Sequence, residues 1–195
     1  MPFISSAAEI NYLIKDKKVL VNYTGKVTKG DFKKLRQVFK KNGYITEVRL
    51  KSPGGNLYEA FKISKFLREK NIMTKVKKGD MCFSACFDIF IGGILRSVAK
   101  GGKLGSHMHS LPTKVVFGSL AKKFKHIKSE EEVIVRTIKE VEQLSAIATA
   151  RRVRNLIDMG VNYRAIDPLI ETSFFETHFY EVRELKRYNI TNIEN

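Results

Sequence analysis

The chain has 195 residues, with 36 basic against 20 acidic for a formal charge of +16, and 43% of its side chains are hydrophobic. That is enough apolar material for one buried core and too much for general disorder. Two cysteines exclude a disulfide framework, and the longest apolar stretch, Met81 to Ala99, is interrupted by Asp88, Gly92, Gly93 and Arg96, which excludes a membrane span.

The first predicted element is a β-rich run, Lys18 to Tyr23, ending near Gly25. Asp31 then caps a helix with Phe32, Leu35, Val38 and Phe39 at helical spacing, stopped by Asn42-Gly43. Ile45 to Lys51 returns to strand and Ser52-Pro53-Gly54-Gly55 makes a tight turn. A helix follows from about Leu57 to Lys70, with Ala60, Phe61, Ile63, Phe66 and Leu67 on its apolar side, and Ile72 to Val76 is the next strand. The apolar segment Cys82 to Leu95 reads as one buried helix, and Gly101-Gly102 turns the chain into a strand over Leu104 to Ser110. Strand and helix alternating in units of about 30 residues predicts parallel pairing and a layered α/β architecture.

Pro112 to Lys128 reads as irregular and basic. Ser129 with Glu132 forms a capping box for a helix running to Met159, with Ile134, Ile138, Val141 and Ala148 turned inward and Gly160 as its stop. Val161 to Asn195 reads as two short helices and a tail. The expected organisation is a single domain over 1–195, with a core over about 17–128 and a long helix and closing segment over about 129–195.

Three features sit where strands hand over to helices or loops. In Ser52 to Gly55, a proline with a fixed backbone angle precedes two glycines, which lets free N–H groups approach a ligand and form an oxyanion pocket; the same residues also make an ordinary turn. In Met81-Cys82-Phe83-Ser84-Ala85-Cys86, the serine stands at a helix N-terminus, with the Ala85 N–H available to an oxyanion; a plain N-cap is the alternative. In Gly105-Ser106-His107-Met108-His109, strand alternation puts both histidines on one face, and either could serve as base to a serine nucleophile.

Taken in order, Val48 to Gly55, Cys82 to Cys86, Gly92-Gly93-Ile94-Leu95-Arg96 and Gly105 to His107 resemble the Clp-protease-like family of the ClpP/crotonase superfamily. The likeness is greatest to its predicted periplasmic branch, where the serine lies between two cysteines. It continues more loosely through Met159-Gly160-Val161 and Glu184 to Ile190. The resemblance implies a repeated ββα superhelix with a long helix C-terminal to the core. It further implies Ser84 as nucleophile, His107 as general base, and the Gly55 and Ala85 amides as the oxyanion hole, with Gly54 and Asn56 beside the substrate.

Acyl transfer would follow, with His107 taking the Ser84 proton and water resolving the acyl-enzyme. The family's aspartate has no counterpart: Ser173 falls near its place, Glu171 and Glu176 are the nearest carboxylates, and Asp167 is a poorer substitute. The expected function is therefore a serine hydrolase, by preference a peptidase, needing no cofactor and acting on a peptide or protein substrate as a homo-oligomer. The alternative is a non-catalytic Clp-like module that binds a peptide or partner with a degraded triad. An acyl-CoA enzyme of the crotonase type shares the fold but does not need this serine.

Cys82 and Cys86 either join in a disulfide, which requires an oxidising compartment, or remain reduced core residues. Their spacing and that of the histidines are unlike common zinc sites, so no metal is expected. The basic surface predicts non-specific attraction to polyanions, while the lack of Trp and of an RNA-recognition sheet signature gives no support for specific nucleic-acid recognition. Phe3 and Ile4 before Ser5 and Ser6 offer no leader, so the chain as given reads as cytoplasmic, whereas the family branch implies a periplasmic or otherwise exported protein with its leader removed.

Overall fold

A computed structural model describes residues 7–15, 18–111 and 113–193. The reading of Phe3 to Ser6 and the residue Pro112 lie outside the described residues. The chain divides into two compact units, one of Met1–Met108 with Asn155–Asn195 and one of His109–Arg154.

The first unit opens with a hairpin of β1 (Glu9–Lys15) and β2 (Lys18–Thr24), paired antiparallel from Glu9↔Thr24 to Lys15↔Lys18. The strand β1 carries alternating Ile10, Tyr12 and Ile14, but Tyr12 and Ile14 remain exposed because β1 is the edge of its sheet. Next come α1 (Asp31–Lys41), β3 (Ile45–Lys51), α2 (Leu57–Glu69) and β4 (Met73–Val76). Strands β2, β3 and β4 pair parallel, as the alternation of strand and helix requires.

The run read as one helix from Cys82 to Leu95 is instead three elements: β5 (Met81–Phe83), α3 (Ala85–Phe90) and, past a glycine turn, β6 (Arg96–Val98). Backbone geometry causes the correction. Ser84 has a positive φ of 58°, which no helix tolerates. After α3, Gly92 and Gly93 let the chain press on its neighbours, since a Cβ there would lie 2.5 Å from the Ser64 Cα and 2.2 Å from the Thr74 Oγ1. The first sheet therefore runs β1-β2-β3-β4-β6. A second sheet holds β5, β7 (Lys103–Ser106) and β8 (His178–Phe179), with β5 and β7 parallel and β8 antiparallel to β7.

In the second unit, α4 (Thr113–Lys123) occupies the segment read as irregular, and α5 (Glu130–Asp158) is the long helix, its last residues belonging to the first unit. Ser129 does accept the Glu132 N–H at 3.3 Å, but the Glu132 carboxylate turns to Arg136, so the capping box is half formed. Ile134 and Ile138, expected inward, are 59% and 53% exposed, whereas Ala148 is buried as expected; Leu120 and Phe124 are buried as well. No helix among the described residues is long and apolar enough to cross a membrane. A 3-10 turn at Tyr163–Ala165, α6 (Ile166–Glu171), β8 and α7 (Val182–Arg187) complete the first unit.

The core of the first unit contains Val21, Tyr23, Leu35, Val48, Leu50, Ile63 and Leu67 from the layers around β2 and β3, with Phe87, Ile89 and Phe90 from α3. Two buried polar groups set the entry to α1. Asp31 is the first residue of the helix rather than its cap, a place taken by Gly30 at φ 98°, and it accepts from Tyr23, Thr28 and Lys34. Burial and the Asp31 carboxylate together keep the Tyr23 hydroxyl protonated.

Glu59, on α2, accepts the Gly30 and Phe32 amides at 3.1 Å and pairs with Lys62 at 2.8 Å. Burial pushes its carboxyl up, but the Lys62 bond and the two amides outweigh this and hold it below the ordinary glutamate range. An acid so depressed contributes stability above its unfolded pKa of about 4.3, and loses it as pH falls through the lower folded value. Glu59→Gln should therefore be about 1–2 kcal/mol less stable than wild type at pH 7. In urea melts across pH, the gap should narrow as the solution is taken below pH ~4.

Candidate active site

The carboxyl ends of β3, β5 and β7 lie side by side. Ser52 bridges Cys82: the Ser52 N–H donates to the Met81 carbonyl at 2.9 Å and the Phe83 N–H to the Ser52 carbonyl at 3.2 Å. Phe83 pairs with Gly105 on the other side. The residues that follow these pairs are Pro53 to Gly55, Ser84 and Ser106-His107. Three motifs, drawn from as far apart as Pro53 and His107, thus meet at one edge, the usual place for a ligand in parallel α/β sheets.

Ser84 is half-buried and sits in the hinge between β5 and α3 at φ 58°, ψ −130°. A non-glycine residue holds such angles only when its surroundings impose them. The plain N-cap alternative does not hold, because Ser84 occupies the N-cap position without a side-chain capping bond. Its conformation is that of a strand–turn–helix elbow, which projects a side chain from the end of a sheet.

The turn of Ser52 to Gly55 presses on this elbow. Gly54, at φ 87°, lies so close that a Cβ would stand 2.5 Å from the Ser84 Cβ and 2.7 Å from the Ala85 N. Its N–H donates to the buried Ser52 Oγ at 3.1 Å, and its carbonyl accepts from Val27 at 2.8 Å. Gly55, at φ 139°, bridges Val27 through the Gly54 carbonyl and the Asn56 amide, so its own amide is not used in that bridge. The Asn56 side chain is engaged as the cap of α2, accepting the Glu59 N–H at 3.0 Å.

Cys82 and Cys86 flank the elbow and are joined by a disulfide, with Cα atoms 5.3 Å apart and both side chains fully buried. Among the described residues no cluster of three or more His, Cys, Asp or Glu side chains could hold a metal ion.

His107 is buried at 7% exposure, just past the end of β7. That strand stops at Ser106, so the alternation expected to put His107 and His109 on one face does not extend to them, and His109 falls in the second compact unit. The His107 Nδ1 lies 2.6 Å from the Met108 carbonyl oxygen. A carbonyl only accepts, so Nδ1 is the donor in this contact, and Nε2 is the nitrogen left to act as a base in the neutral form of the ring.

The segment after α6 runs alongside. The Met108 N–H donates to the Thr172 carbonyl at 2.9 Å, and the Phe174 ring meets the His107 ring edge-on at 5.5 Å. The structure thus brings the neighbourhood of Ser173 to His107, with a backbone hydrogen bond and an aromatic ring among the contacts there. Glu171, Glu176 and Ser173 have exposed side chains, as does Asp167.

No protein-family model matches the chain, and no curated protein sequence matches it. Solved structures do. A ClpP1 point mutant from Listeria monocytogenes superposes with a TM-score of 0.51 at 19% identity, covering 90% of this chain and 91% of that one. Methylmalonyl CoA decarboxylase superposes with a TM-score of 0.55 at 12% identity, covering 96% of this chain and 67% of that one. The chain has the ClpP/crotonase fold. Within that fold the long helix lies C-terminal to the core strands, as expected, and the edge that gathers Gly54, Ser84 and His107 is formed by strand ends rather than by an insertion.

Sequence reading missed two features of this edge. The Met108 carbonyl carries no side-chain signature. Tyr180, whose hydroxyl lies 2.7 Å from the Ser106 Oγ, carries no motif of its own in the closing segment.

Proposed function

We propose that the protein is a serine hydrolase, a peptidase by preference, in which Ser84 is the nucleophile and His107 the general base. The observation that carries this reading is the Ser84 elbow: a positive-φ serine, free of capping duty, wedged against a glycine turn at the end of a parallel strand. His107 Nε2 takes the Ser84 proton as Oγ attacks a carbonyl carbon. The Gly55 and Ala85 amides receive the oxyanion; its collapse breaks the carbonyl–nitrogen bond, and the leaving amine takes the proton back from His107. Water, deprotonated by the same ring, then cleaves the ester and returns the proton to Ser84. The Met108 carbonyl does the orienting work of a triad carboxylate by fixing the ring tautomer. Being neutral, it stabilises the imidazolium less, and slow turnover is expected.

A fluorophosphonate probe tests this directly. Native protein should be modified on the peptide containing Ser84 and Ser84→Ala should be spared; absence of labelling on the native protein sinks the proposal.

The second reading, a peptide-binding module without catalysis, draws support from the exposed side chains of Glu171 and Glu176, the carboxylates nearest in sequence to the place of the family's aspartate. It predicts peptide binding that survives Ser84→Ala. Export to an oxidising compartment such as the periplasm belongs to the same proposal, supported by the Cys82–Cys86 bond. Homo-oligomer formation does too, supported by the apolar side chains of Ile134 and Ile138 exposed on α5.

A further inference from the structure

The serine elbow and the histidine strand are separate pieces of chain, and their spacing has to be held to a fraction of an ångström for proton transfer to work. One side chain touches both. The Tyr180 ring stacks on Phe87 of α3 at 5.4 Å, with the planes inclined by 21°, and Phe87 is three residues past Ser84. The hydroxyl of the same ring lies 2.7 Å from the Ser106 Oγ, on the residue before His107, in a buried pair. The backbone is pinned as well, since the Tyr180 N–H donates to the Leu104 carbonyl of β7 at 2.9 Å and β8 pairs with β7 through Gly105↔Phe179 and Ser106↔His178. His178 and Tyr188 meet the ring edge-on at 4.9 and 6.4 Å and restrict its tilt.

We propose that Tyr180 is a positioning residue for the Ser84–His107 pair, its ring setting the height of α3 and its hydroxyl, through Ser106, setting the end of β7. The inference rests on the hydrolase reading above for its purpose, but not for its geometry. A ring with only two rotatable side-chain bonds, packed on three sides, is a stiff spacer. A hydrogen bond in a buried place is also directional enough to fix where the next residue's ring stands.

Removing the hydroxyl alone would leave the Ser106 Oγ buried without its partner, a cost to folding in itself. The informative variant is therefore Ser106→Ala/Tyr180→Phe, which removes both polar atoms and keeps the ring stack. Single Ser106→Ala, which keeps the whole tyrosine, is its companion.

Two readouts apply. In 15N-histidine spectra, wild-type His107 should show the Nδ1–H tautomer, and the variants should show averaging between tautomers while melting within a few degrees of wild type. In probe labelling, the maximal inactivation rate should fall roughly tenfold with the probe's binding constant unchanged. Wild-type His107 ring signals in both variants overturn the inference, whatever the probe does. Unlabelled native protein overturns the hydrolase reading instead, and the ring spectra still decide whether Tyr180 positions His107.

Discussion

Gly54→Ala is expected to reduce probe labelling of Ser84 by at least roughly 100-fold and to cost about 2–4 kcal/mol of stability. Two effects combine. Gly54 has φ 87°, an angle that an L-residue adopts only under strain. In addition, the new methyl would sit 2.5 Å from the Ser84 Cβ and 2.7 Å from the Phe83 carbonyl oxygen, both on the elbow. The turn cannot retreat cheaply, because Gly54 is tied on one side to Ser52 and on the other to Val27. Relief must come from the elbow, and it is Ser84 and the Ala85 amide that move.

Gly30→Ala separates strain from collision. Gly30 has a similar φ of 98°, with nothing within 4 Å of an added Cβ. It should cost only about 1–2 kcal/mol and leave labelling unchanged. Melting curves and labelling rates on the two variants check both statements; equal labelling in both would mean that Gly54 does not hold the elbow.

The largest expected effect on stability alone comes from Arg96. Its guanidinium is almost fully buried and donates to the carbonyls of Ile190 at 2.8 Å, Asn189 at 2.8 Å, Gly93 at 3.1 Å and Met159 at 3.1 Å. Burial, and then the neighbouring Arg68 charge, bring its pKa down to about 10, which still leaves it a cation at neutral pH. Backbone dipoles, chiefly at the end of α3 and after α7, supply the partners for this buried charge.

In Arg96→Met the volume is roughly kept. The Met159 carbonyl retains the Arg68 Nη2 at 2.9 Å, but the Gly93, Asn189 and Ile190 carbonyls lose these donors. Part of the loss is offset because a costly buried charge disappears. Three unsatisfied carbonyls at about 1–2 kcal/mol each should still win, for a net loss of about 3 kcal/mol. For a chain of this size that lowers Tm by roughly 6–12 °C. An unchanged Tm would mean that solvent or relaxation replaces Arg96 at no cost.

The fold and the edge of the site were legible in the sequence for a specific reason. Turn chemistry at Ser52 to Gly55, a serine between cysteines at 82–86 and a glycine before Ser106-His107 are local signals, each dictated by a backbone path that few residues can follow. Element type inside apolar runs was not legible in the same way. Cys82 to Leu95 is apolar nearly throughout, and neither length nor composition distinguishes a short strand, a six-residue helix and a turn from one buried helix. The strand over Glu9–Lys15 does carry an alternating signal, in Ile10, Tyr12 and Ile14, just ahead of the β-rich run at Lys18 to Tyr23. What stands behind His107 was illegible in principle. A main-chain carbonyl is present at every residue, so nothing in the sequence marks Met108 as the one the ring meets.

The pairing of Ser106 with Tyr180 spans 74 positions. During synthesis, the elbow and the histidine strand are both made well before the segment that clamps them. A nascent chain ending short of β8 would hold Ser84 and His107 with no Tyr180 between α3 and β7, and with the β7 edge unpaired on that side. In the proposed hydrolase, Ser84 would be present but not aligned until the β8 segment docks. Late, long-range closure of this kind is slow compared with local folding. For the proposed hydrolase, it would also keep Ser84 inert while it is still beside its own unfolded chain.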